Sequence, residues 1–341
     1  MKKRVTMKDV ADAIGVHVST VSRALDPKIS HRIRPEVIEL VRQACRELGY
    51  RQTATAYSLR ANRTRTVGVI IPDILDPFFG PIIQGAEYVL SDHDYLAVLA
   101  NVDGQGSRGA EIADALLARR VEGLMLASGS WPDDVVARLA NEGTPIVTLH
   151  RTTEDPRVST VVHDEEEGIR LVLEHLVSLG HRRIAHIAGP QSFMSGLNRY
   201  RAFESQGKRL GLDQSPHLIC FADRYNESAG EQCAAALVGD KATTAIVCAN
   251  DRLAIGAITA LRRQGLDCPR DISVTGYNDM LYADRVVPAL TTVRTDQHRQ
   301  GVEAAEILVE MMETAPDERE SQHVVLPVEI VIRDSTRAVG G

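Results

Sequence analysis

The sequence predicts an α/β protein in two parts: an N-terminal helix-turn-helix domain of three helices, and a larger domain of two doubly wound parallel-sheet lobes. Three observations carry this prediction. The first fifty residues hold three short amphipathic helical patterns. The rest of the chain alternates short apolar runs with amphipathic helical stretches, the signature of parallel strands joined by helical crossovers. The charge is also divided: residues 1–65 carry 14 Lys and Arg against 6 Asp and Glu, a net +8, whereas the remaining residues carry 25 against 40, a net −15. A basic end on an acidic chain points to a module for a polyanion.

In the first helix, Thr6 and Asp9 have the spacing of a capping box, and Val10, Ala11 and Ile14 share a face. Gly15 supplies the turn. The second helix spans about His17 to Leu25, with Val21 and Leu25 inward, Val18, Ser19, Ser22 and Arg23 outward, and Asp26-Pro27 closing it. The third runs from Pro35 to Leu48, with Val37, Val41, Ala44 and Leu48 as its buried stripe and Gly49 as its stop. Ala11 permits a close crossing, and Val10, Ile14, Val16 and Val21 fill the space between the first two helices.

From Arg51 to Thr66 the composition shifts to Thr, Ala, Asn and Arg, a linker with a short helix-compatible run over 53–60. The expected strands are Val67–Ile71, Tyr95–Ala100, Leu124–Ala127, Ile146–Leu149, Ile184–Ile187, Ala245–Cys248 and Ser273–Tyr277, each an apolar run suited to burial on both faces. A last strand is expected over Val324–Ile332. Helical stretches lie between them at 106–120, 168–179 and 253–264. About 270 residues exceed what one such sheet usually holds, so two lobes with a cleft are expected.

Met1-Lys2-Lys3-Arg4 leads into polar sequence, and no stretch is long and apolar enough to span a bilayer, so neither secretion nor membrane insertion is expected. The five cysteines, Cys45, Cys220, Cys233, Cys248 and Cys268, form no C-x-x-C pair and read as small hydrophobes in a reducing cytoplasm.

Taken together, these segments resemble the lactose-repressor (LacI/GalR) family of bacterial transcription factors. The resemblance rests on KDVADAIGV and STVSRAL in the first two helices, ELGY at 47–50 and SLR at 58–60 leading into TVGVIIPD. It continues through GPIIQGAE, SLGHRRIAHIAGP, CANDRLAIGA, ISVTGYND, PALTTVRTD and LPVEIVIRDSTR, and so covers essentially the whole chain. It implies a helix-turn-helix over 1–50, a hinge helix and linker over 51–66, and an effector-binding and dimerisation domain over 67–341. That domain is similar to periplasmic sugar-binding proteins, with lobes at about 67–163 with 293–321 and 164–292 with 322–338. The implied partners are a palindromic double-stranded DNA operator, a second copy of the chain, and a small-molecule effector. The expected function is a non-enzymatic, allosteric transcriptional regulator, a repressor of genes of carbohydrate or related metabolism.

By the resemblance, Val18 and Ser19 occupy base-reading positions, and Thr6, His17, Thr20, Ser22 and Arg23 lie at or near DNA. Arg23 suits either bidentate contact with guanine or a phosphate. Leu59 matches the hinge leucine that wedges into the minor groove, one turn after Ala56. The effector candidates implied are Asp73, Phe79, Ser128, Arg151, Asp164, Arg199, Asn250, Asn278 and Gln297, most of them after strand ends, where α/β sheets bind ligands. The chain departs from the family pattern at His17, Arg34, Gln52, Tyr57 and Asn278. With Asn278 where Asp is frequent, and with Arg151 and Arg199 available, both a neutral sugar and a sugar acid stay open.

Other motifs are weaker. Gly104 to Gly109 spells G-x-G-x-x-G, but it follows the second strand rather than the first and no acidic residue ends the next one, so a dinucleotide is not expected. In the family this loop rims the effector cleft, which makes Asn101 and Asp103 secondary candidates. Glu165-Glu166-Glu167 read as first-turn acids favoured by the helix dipole rather than as a metal cluster. No catalytic constellation, metal or cofactor is expected. Because the chain ends a few residues after its last strand, with no room for a heptad repeat, a homodimer is expected rather than a tetramer.

Overall fold

A computed structural model of the chain describes residues 5–25, 30–50, 63–102, 108–127, 133–150, 155, 157–239 and 242–340. They form two compact units, divided between Thr64 and Arg65.

The first unit holds α1 (Met7–Ile14), α2 (Val18–Ala24) and α3 (Pro35–Leu48). The Thr6/Asp9 capping box forms, and Gly15 ends α1 at φ 67°, a backbone region where glycine carries no steric penalty. The core is made only of small side chains: Val10, Ala11, Val21, Ala24, Val41 and Ala44. Leu48, expected in the buried stripe of α3, is instead exposed, while Ile38 and Cys45 lean on the core in its place. Val18, expected to face outward, also packs partly against that core. Asp26 and Pro27 lie outside the described residues.

The second unit has two lobes. The first is a six-stranded sheet in the order β11-β5-β4-β3-β1-β2, every neighbouring pair parallel. Its strands are β1 (Thr66–Ile71), β2 (Leu96–Asn101), β3 (Gly123–Leu126), β4 (Ile146–Leu149), β5 (Ser159–His163) and β11 (His323–Leu326). Helices α4 (Phe79–Asp92), α5 (Gly109–Ala118), α6 (Asp133–Asn141) and α11 (Gln297–Glu313) belong to this lobe. Its apolar side chains form two clusters around the sheet.

The second lobe is a four-stranded parallel sheet in the order β7-β6-β8-β9. It comprises β6 (Ile184–Ala188), β7 (Ile219–Phe221), β8 (Ala245–Cys248) and β9 (Ser273–Thr275), with α7 (Glu165–Ser178), α8 (Met194–Arg209), α9 (Glu227–Leu237) and α10 (Asp251–Arg263). An antiparallel ribbon of β10 (Thr292–Thr295) and β12 (Val328–Val331) continues it. The chain passes between the lobes three times, after β5, after β10 and at Pro327, and Asp164 N donates to Leu326 O (3.0 Å) where two of these passages meet.

Several expected strands are modified. The last one is not continuous over Val324–Ile332: Pro327 divides it into β11 of the first sheet and β12 of the ribbon, since proline removes a ladder donor. β2 is an edge strand with exposed and half-buried positions, not buried on both faces. β9 stops at Thr275, after which Tyr277 is buried and Asn278 turns at φ 110°. β5 and β10 escape the sequence pattern because Ser159, Thr160, Thr292 and Thr295 interrupt the apolar run although all four are buried, and β7 escapes it because it is only three residues long and half-buried to exposed.

Glycine decides how the second lobe presents its helices. A Cβ on Gly230 would lie 2.2 Å from Leu253 O, and one on Gly256 would lie 2.0 Å from Glu227 O. Only two glycines facing each other allow α9 and α10 to touch backbone to backbone, which sets their first turns side by side at the cleft.

Candidate functional site

Two surfaces can act chemically, one in each unit. In the first unit the start of α2 is exposed or half-exposed over His17, Ser19, Thr20, Ser22 and Arg23. Donors and hydroxyls are thus gathered on one helical face, as a major-groove reader requires. His17 does the work usually given to serine: its Nδ1 accepts from Ser19 N (3.2 Å) and meets Ser19 Oγ (2.8 Å). Arg34, by contrast, provides no side-chain cap for α3. His17→Ala should therefore cost about 1 kcal/mol of stability in this unit, and His17→Ser should restore it, as read by urea unfolding of the full chain. Thr6 is committed to its capping box, with Oγ1 2.6 Å from Asp9 Oδ2. Ala56, Leu59, Gln52 and Tyr57 lie outside the described residues.

In the second unit a cavity of about 680 Å³ opens between the lobes at the carboxyl ends of their strands. The first lobe contributes Asp73, Asp76, Phe78 and Phe79 after β1, Asn101 at the end of β2, and His150 after β4. The second contributes Phe193, Ser195 and Arg199 near the start of α8, Asp223 to Asn226 before α9, Asn250 and Arg252 at the start of α10, and Asn278 after β9. Each lobe supplies an aromatic wall. Phe78 sits 5.2 Å from Phe79 and 4.9 Å from His150 in the first lobe, and Phe193 lies edge-on to Tyr225 at 6.0 Å in the second.

Arg199 is the centre of the site. Its side chain is 5% exposed, its Nε donates to Glu165 Oε1 (3.1 Å), its Nη1 to Ala249 O (2.7 Å), and its Nη2 reaches Asn278 Oδ1 (3.5 Å). The guanidinium lies over the Tyr277 ring at 3.8 Å. A guanidinium so enclosed is fixed before any ligand arrives, which lowers the entropy cost of binding. Its counter-charge, Glu165, lies in the first turn of α7, as the sequence leads one to expect. Its side chain is only 13% exposed, and this burial pushes its carboxyl up to about 7 against the lowering pull of Arg199. Burial likewise raises Asp251 to about 7. The Asp251 carboxylate accepts from Met280 N (2.6 Å) and Thr292 Oγ1 (2.5 Å), which holds the turn carrying Asn278. His163, at the end of β5, is lowered to about 4 by burial, and His150 is also pushed well down, so both rings are neutral near pH 7.

Of the sequence candidates, Asp73, Phe79, Arg199, Asn250 and Asn278 are brought together around the cavity. Two are not. Asp164 caps α7 by accepting from Glu167 N (2.9 Å) and borders a second cavity of about 450 Å³ behind Arg199. Gln297 supports the Asn278 turn from outside, donating to Asn278 O (2.6 Å) and Thr295 Oγ1 (2.9 Å). Ser128, Arg151 and Asp103, and residues 104–107 of the glycine-rich loop, lie outside the described residues. Missed from the sequence were Asp76, Phe78, His150, Phe193, Ser195, Arg252 and the Asp223–Asn226 loop. With β7 unrecognised, nothing marked the loop that follows it. Arg252 forks onto Glu227 (2.9 Å twice) and reaches across the cleft to Asp76 (3.6 Å). Among the described residues, no cluster of His, Cys, Asp and Glu could hold a metal ion, and no helix is long and apolar enough to cross a membrane.

Comparison with known proteins finds a match in each unit. Residues 6–52 match the model of bacterial regulatory proteins of the lacI family, and residues 173–336 match a periplasmic binding protein-like domain. The chain is 30% identical to the transcriptional repressor CytR of Escherichia coli K12, over 98% of this chain and 97% of CytR. Among solved structures it resembles the Lac repressor dimer bound to operator and the anti-inducer ONPF, with TM-score 0.87 and 27% identity over 98% of this chain and 100% of the other. It also resembles the regulator CelR in its complex with cellobiose, with TM-score 0.73 and 28% identity over 97% and 100%.

Proposed function

Because the chain belongs to the lacI family of bacterial regulatory proteins, DNA-binding transcriptional regulators rather than enzymes, we propose that it is a repressor whose hold on a palindromic operator is set by a sugar or sugar acid in the cleft between the lobes. The supporting observation is the preorganised Arg199, with Asn250 and Asn278 beside it, in a cavity with an aromatic wall on each lobe. Such a site binds a polar ligand by forked hydrogen bonds and stacks its apolar faces on rings. The reading assigns α2 to the major groove, with Ser19, Thr20, Ser22 and Arg23 as its contacts, and assigns Asp73, Phe79, Arg199, Asn250 and Asn278 to the effector.

A two-fold operator calls for a two-fold protein, so the acting species is a homodimer. Tyr88, Leu96, Leu281, Tyr282 and Val287 leave apolar area on the surface of the second unit, in keeping with such an assembly. Light scattering at micromolar concentration should give a dimer, and a stable monomer or tetramer would refute that. The test of function is a mobility-shift assay on DNA from upstream of the gene, with and without sugars and sugar acids. A specific shift altered by one of them is expected. Absence of any specific DNA binding would overturn the proposal.

A further inference from the structure

We infer that the effector presents a carboxylate to the second-lobe end of the cleft, and that the ligand class is therefore polyhydroxy acids rather than neutral sugars. This rests on the reading of the cleft as the effector site.

Four asparagines line the cavity, and each one's amide oxygen is already taken by a donor of the protein. Asn101 Oδ1 accepts from Ile74 N (2.7 Å), Asn226 Oδ1 from Ala229 N (2.9 Å), and Asn250 Oδ1 from Leu253 N (2.9 Å). Asn278 Oδ1 faces Arg199 Nη2 (3.5 Å), and a guanidinium has only donors to offer. Each oxygen so engaged keeps one lone pair, whereas the NH2 group of each side chain offers two donors. Arg199 adds its uncommitted N–H groups, Nε being spent on Glu165 and one Nη1 bond on Ala249 O. The first turns of α9 and α10, held side by side by Gly230 and Gly256, add their positive dipole ends.

A sugar hydroxyl both donates and accepts. Placed against Arg199, Asn250 and Asn278 it would accept, but its own O–H would have only the second lone pairs of amide oxygens that already accept, so the donors there outnumber the acceptors. A carboxylate has only acceptor positions, about four of them, and suits the donors gathered at Arg199, Asn250 and Asn278, while Ser195, Asp223 and Tyr225 elsewhere on the same lobe can take hydroxyls. Asparagine at position 278 makes the difference, since an aspartate would have supplied the acceptor that hydroxyls require. The hydroxyls have further acceptors on the other side, where Asp73 and Asp76 line the first lobe. A phosphate ester fits less well, because its second charge would face Glu165 behind Arg199 as well as those aspartates.

The test titrates the full-length protein with gluconate, glucuronate and galacturonate, with glucose, galactose and glucuronamide as neutral counterparts, and with glucose 6-phosphate. Melting temperature and calorimetric affinity are the readouts. At least one acid should bind about 30-fold or more tightly than its neutral counterpart, as expected when a charge-assisted pair is lost. Asn250→Asp keeps the helix cap, because aspartate accepts from Leu253 N equally well, but puts an anionic oxygen where the NH2 was. It should leave the ligand-free melting temperature unchanged and weaken the acid by about 30-fold or more. Asn226→Asp, also cap-preserving, gives the same comparison at a second position. Binding of a neutral sugar or of the phosphate ester in preference to every acid would overturn the inference and leave the cleft as effector site. So would an Asn250→Asp affinity for the acid within about threefold of wild type. If nothing in the panel bound at millimolar concentration, both the inference and the sensing role of the cleft would fall.

Discussion

Arg199→Ala is expected to abolish the response to effector and to destabilise the second unit by about 3–5 kcal/mol near pH 8, the range for breaking a buried ion pair by removing one partner. The loss comes less from the missing contacts than from Glu165, left without a counter-charge at a site where burial already raises its carboxyl to about 7. The sign with pH follows from that value. An acid whose folded pKa lies above its unfolded value binds more protons when folded, so it contributes stability at low pH that is lost as pH rises towards about 7. With Arg199 gone the folded pKa of Glu165 rises further, so the variant's deficit should shrink from pH 8 to pH 5.5. Arg199→Ala combined with Glu165→Gln should regain most of the stability and none of the response. Urea unfolding at the two pH values and a ligand titration of each variant read this out. A pH-independent deficit would show that Glu165 is not the source of the loss.

Val21→Asp should remove binding to all DNA, specific and random alike, by about 100-fold or more, because a charge without a partner cannot be buried at modest cost. Val21 is fully buried in a core of six small side chains. A unit as short as Met1–Thr64 has little stability to spare. α2 would lose its seat against α1 and α3, and with it the reading face. Ligand binding by residues 65–341, a separate compact unit, should be unchanged. Retained random-DNA binding at 50 mM salt would mean that the basic segments act without the folded helices.

Much of this was legible in the sequence, for reasons that can be stated residue by residue. Thr6 with Asp9, Gly15 and Gly49 mark helix ends by local hydrogen bonds and backbone preference, and such signals survive any tertiary context. Buried parallel strands such as Ile146–Leu149 are continuous apolar runs, and they were found at their observed limits. Strands that bury hydroxyls, such as β5 beginning at Ser159 and Thr160, look polar in the sequence because their partners, including Met311 and His323, are far away in the chain. The site divides along the same line. Asn250 was readable as a cap and as a ligand candidate, and it serves as the cap while lining the cavity. Glu165 could not be distinguished from Glu166 and Glu167, since only the packing of α8 against α7 brings Arg199 to it. Nor could the direction of four amides be read, because each is set by a backbone or guanidinium donor that the fold alone brings within reach.

The central claim is that one ligand in the cleft and one operator on α2 share a free energy. Its most direct test is a thermodynamic square: operator affinity with and without saturating effector, and effector affinity with and without operator, by fluorescence anisotropy and calorimetry at one salt concentration. The same factor is expected along both paths, about 5- to 150-fold, because coupling between sites is reciprocal. Equal operator affinity with and without a ligand that demonstrably fills the cleft would contradict it.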